Sequence, residues 1–122
     1  MSIELFNHMV NNQPQRLDNV FRALADPTRR AMVRSLARRE RTVGELAAPF
    51  DMTLAAASKH VRTLERAGLV RRTIRGRTHT CRLDPHPLVA AQQWLADAER
   101  FWTARLDALE TLFDPGPEDP TP

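Results

Sequence analysis

Apolar residues first fall into a helical rhythm at Leu17, Val20, Phe21 and Leu24. Spacings of three and four predict an amphipathic helix there. Ala25-Asp26-Pro27 interrupts it. Asp is a strong N-cap and Pro suits a first helical position, so a second helix starts at Pro27. Its apolar face is Ala31, Met32, Val33 and Leu36, while Arg29, Arg30, Arg34 and Arg38 lie mostly on other faces. Thr42 with Glu45 three residues later is a capping box, and the short third helix behind it buries Val43, Leu46, Ala47 and Phe50. Asp51-Met52 is a turn. Thr53 then caps a fourth helix whose buried stripe is Leu54, Ala57, Val61 and Leu64, and Gly68 stands where a helix end favours glycine.

Beyond Gly68 the period drops to two. Val70, Arg72 and Ile74 alternate, as do His79, Cys81 and Leu83, with Arg75-Gly76-Arg77 between the runs. Two alternating runs about a glycine predict a β-hairpin. Asp84-Pro85 opens a long last helix, in which Leu88, Leu95, Trp102 and Leu109 recur every seven residues and Trp94, Phe101, Leu106 and Phe113 widen the apolar face. The result is a mainly α chain with a small β-hairpin, in the order four helices, hairpin, fifth helix. Residues 1–15 read as a flexible N-terminal arm, 16–113 as the domain, and 114–122 as a disordered tail rich in proline and acid.

Composition narrows the class. At 122 residues the chain is one domain. With 42% hydrophobic and 27% charged residues it is an ordinary globular composition. A lone cysteine, Cys81, excludes a disulfide framework and a four-cysteine zinc site. No apolar run is long enough for a membrane span and no secretory signal opens the chain, so the expected location is the cytoplasm. Charge changes the picture most. Arg16 to Arg82 holds 16 basic against 6 acidic residues, a net +10, while the remainder to Pro122 is net −6. That imbalance fits a polyanion binder.

The third and fourth helices with their short turn form a helix-turn-helix. A helix with one buried face and one cationic face can enter the major groove of DNA. Outside its buried stripe the fourth helix offers Ala55, Ala56, Ser58, Lys59, Arg62, Thr63 and Arg66 after the Thr53 cap. Small residues allow close approach to base edges, and Ser, Lys and Arg donate to bases or phosphates. His60 either bonds a phosphate or packs locally. The hairpin that follows carries Arg71, Arg72, Arg75, Arg77 and Arg82, more arginine than edge protection requires, and so reads as a wing with Arg75 and Arg77 at its tip. His79 and Cys81 fill the space between wing and body. Single-stranded nucleic acid is a poor fit, because Phe50 is the only aromatic from Thr42 to Leu83 and such binders stack bases on aromatics. No nucleophile elbow, phosphate loop or clustered histidines suggest an enzyme. A winged helix used only for protein contacts would not need cations on both elements.

The stretch from Leu24-Ala25-Asp26-Pro27-Thr28-Arg29-Arg30 through Ser58-Lys59-His60, Leu64-Glu65, Ala67-Gly68-Leu69-Val70 and the Arg75-Gly76-Arg77 wing resembles the ArsR family of bacterial winged helix-turn-helix repressors, over roughly Leu17 to Phe113. The resemblance implies a homodimer with the first and fifth helices at its interface, which assigns Leu17, Val20, Phe21, Leu88, Leu95, Trp102 and Leu109 to the dimer contact. It implies an inverted-repeat operator in double-stranded DNA, contacted by Thr53, Ala55, Ala56, Ser58, Lys59, His60, Arg62, Thr63, Arg75 and Arg77. Two departures bear on the signal. The family's metal-binding cysteines of the third helix are replaced by Thr42-Val43-Gly44, which supply no thiolate. A second family metal site keeps Asp84 and His86 but has Asp97 and Arg100 for its other half, and Arg ligates no metal. No metal and no cofactor are therefore expected. A metal- or small-ligand-responsive derepressor using a site on the fifth helix is the alternative, alongside the winged-helix protein-interaction module.

Overall fold

Every helix after the first begins where a side-chain oxygen meets otherwise unpaired amides. The computed structural model describes residues 16–113; the expected arm and tail lie outside them. Helix α1 covers 16–24. Asp26 accepts from the amides of Thr28 and Arg29 at 2.8 and 3.2 Å and so starts α2, Pro27–Arg38. Strand β1, Arg41–Thr42, leads into α3, Val43–Ala47. There Thr42 and Glu45 close a reciprocal capping box, each accepting the other's backbone N–H at 3.1 Å. Thr53 accepts from Ala56 at 3.1 Å and starts α4, Leu54–Arg66. At its other end Gly68, with φ +76°, donates to Glu65 and Leu69 donates to Leu64. This is a Schellman closure that needs the left-handed glycine.

Strands β2, Val70–Arg75, and β3, Thr78–Leu83, pair antiparallel from Val70↔Leu83 to Arg75↔Thr78. Gly76, at φ +60°, is the first of two turn residues, followed by Arg77 at ordinary negative φ. That is the pattern of a type II′ hairpin turn. The expected hairpin is in fact part of a three-stranded sheet, ordered β1-β3-β2, because Arg41 and Thr42 pair with Cys81 and Thr80. Two residues carry no periodicity, so nothing in the pattern marks β1.

The core gathers Val20 and Ala23 of α1, Met32, Val33 and Leu36 of α2, Leu46 and Ala47 of α3, and Ala57, Val61 and Leu64 of α4 with Leu69, Val70 and Cys81. Truncating a fully buried member such as Leu64 to Ala costs about 2–5 kcal/mol. Two assignments change. Leu54, expected in the buried stripe, is 63% exposed, because the first turn of α4 extends past the packed core. Val20, expected at a dimer contact, is only 2% exposed and spends its side chain on the protomer's own core; Leu17 and Phe21 are half-buried.

Helix α5 spans His86–Phe113. Its start is fixed by Asp84, which accepts the His86 amide at 3.1 Å. Leu88 and Ala91 pack on the core. The chain divides after Ala91 into two compact units. In the second, Trp94, Leu95, Phe101, Trp102, Leu106 and Leu109 are all exposed, Phe101 and Trp102 meet edge to face at 5.8 Å, and Arg105 stacks over Phe101. Among the described residues no helix is long and apolar enough to cross a membrane.

Candidate nucleic-acid interface

Helix α4 buries Ala57, Val61 and Leu64 completely, and this fixes which side chains turn outward. Thr53, Ala55, Lys59 and Arg62 are exposed, and Ala56, Ser58, His60 and Thr63 are half-buried. Thr63 turns its hydroxyl back to the Lys59 carbonyl at 3.2 Å. The first turn holds no acid, so the positive end of the helix dipole is uncompensated there. Arg75 and Arg77 are exposed at the wing tip. None of Lys59, Arg62, Arg75 and Arg77 has an ion-pair partner among the described residues. Leu54 and Ser58 of α4, with Arg77 and Thr78 of the wing and Val43 and Gly44 of α3, line an open cleft of about 440 Å³.

The wing's five arginines divide. Arg72 does not point outward with Arg75 and Arg77: its side chain is 13% exposed and donates to Glu65 of α4 at 2.7 Å. Its other terminal nitrogen lies 3.1 Å from His79 Nδ1. A guanidinium cannot accept, so that His79 nitrogen is the unprotonated acceptor. Arg71 pairs with Asp84 at 3.1 Å. Glu65, Arg72 and His79 thus tie the wing to α4. The β2–β3 register sets Arg72 diagonally across from His79, and the packing of β2 on α4 brings Glu65 to them, which no local spacing reveals.

His60 likewise has a local partner. Arg29, the third residue of α2, sends Nε to the Ala23 carbonyl at 2.6 Å, one terminal nitrogen to the Arg22 carbonyl at 3.1 Å, and the other to His60 Nδ1 at 3.3 Å. It thereby joins the end of α1 to α4. By the same argument His60 Nδ1 accepts and its proton sits on Nε2. For Asp26, burial opposes the charge, but the amides of Arg29 and Thr28 outweigh it and hold the carboxyl below its ordinary value.

Of the second-site residues, Asp84 and His86 are bound to each other: Nδ1 donates to the carboxylate at 2.7 Å. That bond, the His86 amide and Arg71 bring the Asp84 pKa to about 2. Asp97 and Arg100 form an ion pair. Among the described residues no three His, Cys, Asp or Glu side chains gather as a metal site. Burial raises the Cys81 pKa, against the pull of Arg72, so the thiol is a core filler with little thiolate character.

Residues 24–73 match a family described as a helix-turn-helix domain. The chain is 38% identical over 102 residues to Rv2034, a helix-turn-helix-type transcriptional regulator of Mycobacterium tuberculosis, covering 84% of this chain and 92% of that one. Among solved structures, the ArsR family transcriptional regulator RHA00566 is 44% identical with a TM-score of 0.71, over 74% of this chain and 93% of its own. The chain belongs to the ArsR family. An ArsR-like regulator from Rhodococcus sp. RHA1 gives the same TM-score, 0.71, at 27% identity, over 85% of this chain and 98% of its own. This ArsR-family chain is a winged helix-turn-helix transcriptional regulator with a DNA-binding helix-turn-helix, not an enzyme. In it α3 and α4 are the helix-turn-helix, and β2 and β3 the wing.

Proposed function

We propose that this ArsR-family regulator is a homodimer that binds a specific inverted-repeat operator in double-stranded DNA and represses transcription in the bacterial cytoplasm by occupying a promoter. The observation that carries the reading is the set of cations without an ion-pair partner among the described residues on two separate elements, Lys59 and Arg62 on α4 and Arg75 and Arg77 on the wing. In it α4 enters the major groove, with Thr53, Ala55, Ala56, Ser58 and Arg62 near base edges and His60 offering its Nε2 proton to a phosphate. The wing arginines meet the adjacent backbone or minor groove. Leu95, Trp102 and Leu109, all exposed on α5, support the dimer: a second copy removes this apolar surface from water. A twofold dimer then calls for a twofold operator, with half-sites about one helical turn apart.

Selection from a random duplex pool tests this. The expected product is a palindromic consensus bound by a dimer. A pool that remains unenriched, with equal affinity for every duplex, contradicts the reading.

A further inference from the structure

Leu54 is the first residue of α4, and its pattern partners Ala57, Val61 and Leu64 are fully buried, yet it is 63% exposed. Single exposed leucines are common on protein surfaces; its setting distinguishes this one. It lines the cleft between α4 and the wing, alongside Ser58, Arg77 and Thr78. Exposed Ala55 follows it, and the next outward positions, Lys59 and Arg62, are cationic. An apolar side chain lining that cleft therefore leads a helix whose outward surface, with the facing wing, is complementary to a polyanion. A helix of this kind brings its N-terminal residues to the base edges. The one apolar group that a base presents in the major groove is the thymine 5-methyl.

We propose that Leu54 is a specificity-determining residue that reads a thymine methyl group in each operator half-site. The inference rests on the operator-binding reading above. It adds that sequence preference at one base pair comes from apolar burial, while Ser58, Lys59 and Arg62 supply hydrogen bonds and charge. Leu54 is mostly exposed, so replacing it leaves the protomer core intact.

The test uses the selected duplex, prepared with each thymine in turn replaced by uracil, which lacks only the methyl. Affinities are measured for the full chain, for Leu54→Ala and for Leu54→Met. Burying one methyl group is expected to change affinity by roughly fourfold per contact, so at one thymine position uracil weakens wild-type binding by about fourfold when placed in one half-site and by about sixteenfold when placed in both. Leu54→Ala binds the thymine and uracil duplexes at that position equally, whereas Leu54→Met, which keeps an apolar reach, retains most of the preference. Uracil penalties at other positions are the same in all three proteins. If wild type binds the selected duplex tightly but no uracil penalty disappears in Leu54→Ala, the inference is overturned and operator binding stands. A Leu54→Ala variant that weakens every duplex by one factor overturns it equally. If no duplex is ever enriched, operator binding itself fails and takes the inference with it.

Discussion

The link between wing and recognition helix sets up an asymmetry that stability measurements can read. Arg72 donates to Glu65 at 2.7 Å; the two side chains are 13% and 33% exposed, and Arg72 Nε has no partner. Changing Glu65 to Met strands a guanidinium that is nearly buried and keeps only His79 Nδ1 at 3.1 Å. Breaking a fully buried pair in this direction costs about 3–5 kcal/mol. The partial exposure here reduces that to about 2–3 kcal/mol. Changing Arg72 to Met instead leaves a carboxylate that is one-third exposed and can rehydrate, and it removes the orphaned Nε. Its cost is about 0–1 kcal/mol, since an apolar side chain of similar length is often neutral at such a site. The consequence is a reversal of sign: Arg72→Met added to Glu65→Met restores stability, with a coupling of about 1–3 kcal/mol. Urea denaturation of the four proteins at one fixed chain concentration measures it, because dimerisation links stability to concentration. Additive losses, or an Arg72→Met variant less stable than Glu65→Met, rule the asymmetry out.

Three further outcomes are expected. Trp102→Ala with Leu109→Ala on α5 weakens dimerisation by several kcal/mol, at about 2–5 kcal/mol for each large-to-small change at a packed interface; sedimentation checks it, and a wild-type chain that is monomeric at micromolar concentration contradicts it. Arg29→Lys loses about 1–3 kcal/mol of stability, because one ammonium cannot span the Ala23 and Arg22 carbonyls and His60 together; long-range nitrogen–proton correlation places the His60 proton on Nε2 in wild type, and a proton on Nδ1 is the contrary result. The Asp84 pKa near 2 lies below the ordinary Asp value of about 3.9, so its stabilising contribution is complete above that value and is lost as pH falls through about 2. Denaturation midpoints between about pH 5 and pH 2 therefore fall more steeply for wild type than for Asp84→Asn, and parallel curves refute the assignment.

Much of this fold is legible in the sequence because its boundaries are set by local chemistry. Asp26-Pro27, Thr42 with Glu45, Thr53 and Gly68 each satisfy amides or carbonyls within a few residues, so sequence spacing locates them. What is not legible depends on contacts across the fold. Strand β1 exists only because β3 lies beside it. The angular pattern puts Leu54 on the correct side of α4, but whether a core lies beneath it depends on its position along the helix axis. Val20 and Phe21 are neighbours on one stripe, and only packing decides that the first is buried and the second half-exposed. Charge counting credits the wing with five arginines, whereas two of them are held by Glu65 and Asp84.

If α4 reads sequence while the wing supplies charge, binding isotherms over a series of salt concentrations separate the two roles. Wild type, Arg62→Ala and an Arg75→Ala/Arg77→Ala variant are each titrated on the selected duplex and on a scrambled one. Arg62→Ala is expected to lose about 1–3 kcal/mol on the selected duplex and little on the scrambled one, narrowing the ratio between them. The wing variant is expected to weaken both duplexes by similar factors. It also flattens the plot of log K against log salt by roughly one for each phosphate it no longer neutralises, up to about four per dimer. Full-strength binding by both variants contradicts this division of roles, because neither α4 nor the wing would then face DNA.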